Sequence, residues 1–333
     1  MHLIWPWKWA ANGRPLSPAP RAPGSFVSKT SPTTRDGDLA AWDRLVESLD
    51  VESRGAAPAE LLKTLRSSAA VKDLVPPEVR AAGRFAAASH VEREATRAVI
   101  RSAYRLGDAA LAGLGPGDLV PGGGFREIHP RLHAGAVLTP SWCRRLLAEL
   151  GRLRTWSAEV GIPPVAPNSM NRYGVMLDDL GLGPAVRWLT REVLRPLATS
   201  RYPDLGGADL DDPHAFLVEY REDGDLELDF HVDDSEVTLN LCLGDRFEGG
   251  ELYFEGLRCE AHLQTGCSPS DSFSYEHVPG RALLHAGKHR HGARPIRNGQ
   301  RVNLIIWCRS PAVRAMARTG TCPSWCEESR ARL

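Results

Sequence analysis

The stretch that decides the fold lies between His214 and Trp307. There HAFLVEY (214–220), LELDFHV (226–232), VTLNLCL (237–243), ELYF (251–254), RALLH (281–285) and RVNLIIW (301–307) follow one another. Each run is short, rich in Val, Leu, Ile, Phe or Tyr, and bounded by Gly- or Asp-bearing turns, as strands are. Six or more such strands in about a hundred residues predict a compact all-β barrel or sandwich.

Inside this region His231-Val232-Asp233 is the sharpest local feature. In a strand, residues i and i+2 project from one face, so the imidazole and the carboxylate point inward together while Val232 faces out. A buried carboxylate needs charge compensation. A divalent metal supplies it, and two-His-one-carboxylate sets with open positions suit non-haem Fe(II). The tripeptide alone reads as well as a surface His–Asp pair. A segment some fifty residues downstream shifts the balance. LLHAGKHRHGARPIRNGQRVNLIIW, 283 to 307, holds three histidines, so a third ligand comes from His285, His289 or His291. An oxygenase of this type also needs a deep cation for the far carboxylate of 2-oxoglutarate. Arg301, at the start of an apolar strand, offers a fork that is bidentate and always charged. Asp234, beside Asp233, reads as a turn or capping residue.

Outward from the β region the chain becomes helical. Thr139-Pro140 ahead of Trp142, Leu146, Leu147 and Leu150 is a helix start, with Thr as N-cap and Pro in the first turn. Another helix is expected over about 184 to 198. The Gly/Pro stretch 113–124 breaks the chain. Before it, residues 39–120 form a helical region. Leu39, Trp42, Leu45, Val46 and Leu49 keep helical spacing, Leu61, Leu62 and Leu65 come next, and a longer helix is expected from about Ala86 to Leu111. Residues 1–38, with no acid before Asp36, read as a disordered tail or as an acid-poor organelle transit peptide.

Bulk properties exclude several classes. The 41 basic and 41 acidic residues cancel, so no nucleic-acid or membrane-surface partner is expected. No apolar run approaches the roughly 20 residues of a membrane span. Seven scattered cysteines argue against a secreted disulfide framework and make a reducing compartment the default, cytoplasmic or organellar.

The stretch from His214 to Arg309 resembles the prolyl 4-hydroxylase-type 2-oxoglutarate/Fe(II) dioxygenases. EVTLNLCLGDRFEGGELYF together with LLHAGKHRH is similar to lysyl hydroxylases. The closest resemblance is to the uncharacterised "2-oxoglutarate and iron-dependent oxygenase domain-containing" group, and it reaches upstream to PNSMNRYGVMLDDLGL, 167–182. It implies an α+β fold, a double-stranded β-helix (jelly-roll) barrel with supporting helices. The dioxygenase domain would span 125–310, with its core at 213–310, ahead of a C-terminal tail, 311–333. It further implies Fe(2+) held by His231, Asp233 and His291, with 2-oxoglutarate anchored by Arg301 and contacted by Tyr220. O2 would be the oxidant and L-ascorbate an activity-preserving reductant. The implied reaction hydroxylates an unactivated C–H bond, of a peptidyl proline, a peptidyl lysine or a small metabolite, releasing succinate and CO2. The rival readings are zinc-assisted hydrolysis, which leaves Arg301 unexplained, and a catalytically silent binding module.

Weaker features remain. His285 reads as a partner of the ligands or a packed ring, and His289 is the main competitor of His291. Asn168, Asn171, Arg172 and Tyr173 are placed by the resemblance near the mouth of the site, with Asn171 and Tyr173 as substrate-contact candidates. Cys322 and Cys326 offer two metal ligands. A structural zinc site needs about four, and with no second close pair in the sequence a free-thiol tail is expected.

Overall fold

The computed structural model describes residues 36–53, 56–244, 247–316 and 322–327. The leader expected over 1–38 lies outside these residues, apart from its last three positions, which open the first helix (Asp36–Ser53). Twelve strands occur among the described residues: β1 (Arg126–His129), β2 (Leu132–Gly135), β3 (Gly174–Met176), β4 (Asp212–Arg221), β5 (Leu228–His231), β6 (Val237–Gly244), β7 (Phe247–Gly249), β8 (Leu252–Leu257), β9 (Ser272–Tyr275), β10 (Ala282–Ala286), β11 (His289–Ala293) and β12 (Ile296–Arg309). They form two antiparallel sheets. The larger runs β1-β2-β10-β6-β12-β4-β3, with β7 also paired to β12, and the smaller runs β5-β11-β8-β9. From β4 onward the chain passes back and forth between them: β4, β6, β10 and β12 belong to the larger sheet, β5, β8, β9 and β11 to the smaller.

Side-chain alternation gives the two faces of the larger sheet different jobs. Ala215 and Leu217 of β4, the odd-numbered residues Val237 to Leu243 of β6, and Leu304 and Ile306 of β12 pack into the core shared with the helices. The intervening Phe216, Val218, Tyr220 and Ile305 face the smaller sheet and join Leu252 and Phe254. Every residue of β6 is buried, its apolar odd-numbered side chains on the helices and Thr238 and Asn240 on the face toward the smaller sheet.

The helices match their expected apolar stripes, with some differences in extent. Trp42 and Val46 are fully buried, as are Leu61, Leu62 and Leu65 in Pro58–Ser67, and all pack against Arg84–Ala103. That last helix stops at Ala103, short of the expected Leu111. The Glu149 carboxylate, on helix Pro140–Val160, accepts the amide of Gly107 at 2.9 Å and the Tyr104 hydroxyl, so the chain gains more by turning than by continuing. Over 184–198 the sequence predicts a single helix. The chain instead runs Gly183–Leu189, a π turn at Thr190–Leu194, then Arg195–Arg201, and Pro196 supplies the cause because it has no amide for the helical ladder. In the β region, the strand expected through Asp233 ends at His231, and β12 begins at Ile296, which leaves Arg301 inside the strand rather than at its start. Thr139 caps its helix as expected, accepting the Trp142 amide at 3.3 Å.

A buried ionic cluster joins the helical layer to the chain near β3. The Arg97 guanidinium, 2% exposed, donates to Asp179 at 3.0 Å and to Glu94 at 3.2 Å. Arg101 links the same Asp179 (3.0 Å) to Asp43 (2.7 Å) on the first helix. Removing one member of such a cluster strands the others without compensation. Arg97→Met is therefore expected to destabilise the chain by about 3 kcal/mol in denaturant unfolding. An unchanged midpoint would contradict this reading.

Candidate metal centre

Two strands of the smaller sheet put two imidazoles side by side. His231 closes β5 and His291 lies in β11, and the register pairs them directly, with ring centroids 4.3 Å apart. Asp233 comes just after β5, in a turn held by its own amide, which donates to the Gly287 carbonyl at 2.9 Å. A Cβ on Gly287 would lie 2.1 Å from the Ser235 carbonyl oxygen, so the turn packs this closely only against glycine. The Thr238 hydroxyl donates to Asp233 Oδ2 at 2.7 Å, which leaves Oδ1 facing the rings. His231 Nε2 is 3.5 Å from Oδ1 and His291 Nε2 is 3.7 Å from it.

The tautomers follow from the backbone. His231 Nδ1 donates to the Asp229 carbonyl at 2.7 Å, and His291 Nδ1 to the His289 carbonyl at 2.8 Å. A carbonyl only accepts, so Nδ1 of each ring carries a proton and Nε2 is the atom turned toward Asp233. Burial, and after it the neighbouring His231, pushes the His291 pKa down to about 3, so this ring is neutral at ordinary pH. Burial alone would raise the Asp233 carboxyl, but His291, His231 and His285 around it outweigh that and hold it well below the usual carboxylate range. The set offers two imidazole nitrogens and one carboxylate oxygen as donors. Bonds of about 2.1 Å to a divalent first-row metal place neighbouring donors about 3.0–3.5 Å apart, so the three donors fit a common ion with little movement.

The opposite wall of the same cleft comes from the larger sheet. The cleft is lined by His231, Asp233 and His291 and also by Tyr220, Asn240, Arg301 and Asn303. Arg301, 1% exposed, stands opposite Tyr220 in the β12–β4 register with its guanidinium 4.4 Å from the ring centroid. It donates to the Gly250 carbonyl, while its Nε has no partner. Gly249 and Gly250 both take positive φ, +80° and +70°, and a Cβ on Gly250 would come within 2.9 Å of the guanidinium. That accounts physically for the two glycines of EGGELYF. Beside the arginine, the Asn303 amide donates to Asn240 at 2.6 Å and approaches His277 Nε2 at 3.1 Å, and the Asn303 carbonyl oxygen has no partner.

The remaining candidates fall in different places. His285 Nε2 is 3.8 Å from Asp233 Oδ2, its Nδ1 donates to Ala286 O at 2.9 Å, and it packs on His291. His289 is buried 5.1 Å from the Phe254 ring centroid, with neither ring nitrogen partnered. Asn168 and Asn171 line the cleft, and Asn171 donates to the Tyr220 hydroxyl at 3.4 Å. Tyr173 does not line it; its ring lies under Arg221, 4.7 Å away. Arg172 pairs with Asp225 at 2.9 Å. Asp234 sits in a bend, as expected, and holds Arg309 (3.1 Å) and Arg314 (2.9 Å). Sequence reasoning missed Thr238, Asn240, His277 and Asn303, although alternation along β6 and β12 points to all of these but His277. It also missed Cys259 and His262, whose donor atoms lie beside those of Cys322 and Cys326. The signal was the C-x-x-H spacing of 259–262.

The OGFOD2-like domain family matches residues 124–207, from just before β1 to just before β4. The chain is 45% identical over 203 residues, 61% of its length, to "2-oxoglutarate and iron-dependent oxygenase domain-containing protein CP2" of Arabidopsis thaliana, covering 52% of that protein. It is 41% identical over 199 residues, 60% of its length, to "2-oxoglutarate and iron-dependent oxygenase domain-containing protein 2" of Homo sapiens, covering 53% of it. The chain thus spans about half the length of the curated relatives it matches. A crystal structure of a Pseudomonas putida prolyl-4-hydroxylase aligns over 55% of this chain and 94% of that one, at 18% identity and a TM-score of 0.39. Over about 60% of its length the chain is similar to proteins named 2-oxoglutarate and iron-dependent oxygenase domain-containing proteins. No helix among the described residues is long and apolar enough to cross a membrane.

The geometry separates the two histidines of β11 by experiment. His291→Ala and Asp233→Ala should abolish Mn(II) binding at this centre in a titration monitored by electron paramagnetic resonance. His289→Leu should retain it, with an unchanged or raised thermal midpoint, because an unpartnered buried imidazole is replaced by an apolar side chain of similar volume. Loss of Mn(II) binding in His289→Leu would move the ligand assignment.

Proposed function

We propose that this chain is an Fe(II)- and 2-oxoglutarate-dependent dioxygenase whose two sheets are the halves of a double-stranded β-helix barrel. The oxygenase domain would be residues 125–310, with the core at 213–310, supported by the helical region 39–120. His231, Asp233 and His291 would hold Fe(II), Arg301 and Tyr220 would bind the distal carboxylate of 2-oxoglutarate, and His285 would pack against the His291 ring. The observation that carries this reading is a His-His-Asp donor set and a buried arginine with an unpartnered Nε in one cleft. A zinc hydrolase has no use for that arginine.

Iron(II) bound there with its co-substrate would couple decarboxylation of 2-oxoglutarate, to succinate and CO2, with hydroxylation of a C–H bond by O2. The protein's own contribution is positional. The Nδ1–carbonyl bonds aim both imidazoles, Thr238 orients the carboxylate, and the apolar wall of Phe216, Val218, Leu228 and Leu252 excludes water from the reacting centre. Asn168, Asn171 and the 39%-exposed Met170 form the mouth and would contact the substrate. We assign that substrate as a peptidyl proline or lysine side chain, because an open cleft with a polar and apolar rim admits a protruding side chain. L-Ascorbate would keep the iron reduced between turnovers, as the family resemblance implies.

Anaerobic addition of Fe(II) and 2-oxoglutarate should produce a weak visible charge-transfer band, and screening peptide and metabolite pools for succinate release should find the substrate. Iron binding without the band would refute the oxygenase reading. Arg301→Ala should raise the 2-oxoglutarate KM by roughly 10- to 100-fold, corresponding to the loss of about 1.5–3 kcal/mol of charge-assisted bonding. A KM within twofold of the parent would remove Arg301 from the co-substrate site.

A further inference from the structure

A second group of donors lies away from the cleft. Cys259 and His262 leave the end of β8, and Cys322 and Cys326 come from the C-terminal segment, 63 residues downstream of Cys259 at their nearest. Their four donor atoms lie within 4.8 Å of one another. His262 Nδ1 is 3.3 Å from Cys259 Sγ, 3.5 Å from Cys322 Sγ and 3.5 Å from Cys326 Sγ, and the Cys259 and Cys322 sulfurs are 3.9 Å apart. We propose that Cys259, His262, Cys322 and Cys326 form a structural zinc(II) site that staples the C-terminal segment to the loop after β8.

The edges of the polyhedron carry the argument. A tetrahedral zinc ion with Zn–S bonds of about 2.3 Å and a Zn–N bond of about 2.0–2.1 Å sets S···S edges at about 3.8 Å and S···N edges at about 3.5 Å. The four separations above match these within a few tenths of an ångström, and the other two S···S pairs lie within 4.8 Å. A disulfide does not account for the spacing, since a bonded pair of sulfurs is about 2.05 Å apart, whereas the Cys259 and Cys322 sulfurs are 3.9 Å apart. The ligand types and spacing, C-x-x-H and C-x-x-x-C, form a closed Cys3His set with no position for a substrate, which marks a structural rather than a catalytic ion.

The surroundings are built to hold that geometry. Cys326 is fully buried and its sulfur accepts the backbone amide of Cys259 at 3.4 Å, an N–H···S contact of the kind that supports a metal-bound thiolate. Each ligand pair sits in its own tight turn: the His262 amide returns to the Cys259 carbonyl at 2.9 Å, and the Cys326 amide to the Pro323 carbonyl at 3.0 Å. Next to the cluster, Glu327 accepts the Leu257 amide at 2.8 Å and the Arg258 guanidinium at 2.6 Å, closing the same seam. The staple therefore ends on β8, the strand whose Phe254 pairs with His291 of β11. It stiffens the support of the cleft without lending it a donor.

The test uses the full-length chain carrying His231→Ala, so that the other centre cannot hold metal. After dialysis against EDTA, elemental analysis should find about one zinc per chain. The Co(II)-substituted protein should show the intense visible bands of a tetrahedral thiolate site together with a sulfur-to-cobalt transition in the near ultraviolet. Cys326→Ser and Cys322→Ser should lose both the zinc and the thiolate transition, with a lowered thermal midpoint, while Cys267→Ser, at an exposed thiol outside the cluster, should change neither. Absence of zinc from the His231→Ala chain would overturn the proposal. So would zinc retained undiminished in Cys326→Ser, or a Cys259–Cys322 disulfide found by mass spectrometry in the protein as purified.

Discussion

The structure depends on one buried carboxylate. Asp233 is 3% exposed and surrounded by three imidazoles. Leaving such a group without a compensating positive charge in an apolar interior costs several kcal/mol at least, so its surroundings hold it in position and leave room for that charge. Thr238 donates to one oxygen, Gly287 makes room for the turn, and the pairing of β5 with β11 brings His231 and His291 to the other oxygen. The same features leave a cation as the natural fourth partner.

Division of labour between the sheets comes from period-2 alternation. The smaller sheet and the turn after β5 supply the donors, and the larger sheet supplies the arginine wall. Because the far face of the larger sheet is packed against helices, Arg301 and Asn303 stand on strands that are themselves immobilised. A site whose parts are carried by rigid strands can hold two ligands in fixed relation, which is what coupling the fate of a co-substrate to that of a substrate requires.

Much of this is legible in the sequence, and the exceptions have physical reasons. The strands β4, β6, β8, β10 and β12 announce themselves through Val, Leu, Ile and Phe. β11 does not, because His-Arg-His-Gly-Ala has little β-propensity and is a strand only through pairing with β5 and β8. Asp233 reads in sequence as a strand residue. It lies in a turn, and the turn rather than the pleat sets its angle to His231. Tyr173, grouped with Asn171 by their i, i+2 spacing, faces away under Arg221 because the chain bends at Arg172 and Tyr173 instead of running extended, so the same-face rule of a strand does not apply there. The thiol cluster is hidden by distance, since no local pattern reveals that residues 63 apart meet.

The most direct measurement is the dependence of 2-oxoglutarate binding on metal, made by anaerobic isothermal titration of the full chain. If His231, Asp233, His291 and Arg301 act as one site, 2-oxoglutarate binds the Mn(II)-loaded protein and releases measurable heat. The metal-free protein and Asp233→Ala with Mn(II) present then give no comparable binding. Equal affinity in all three samples would contradict the central claim, because it would place the co-substrate on a surface to which the metal donors contribute nothing.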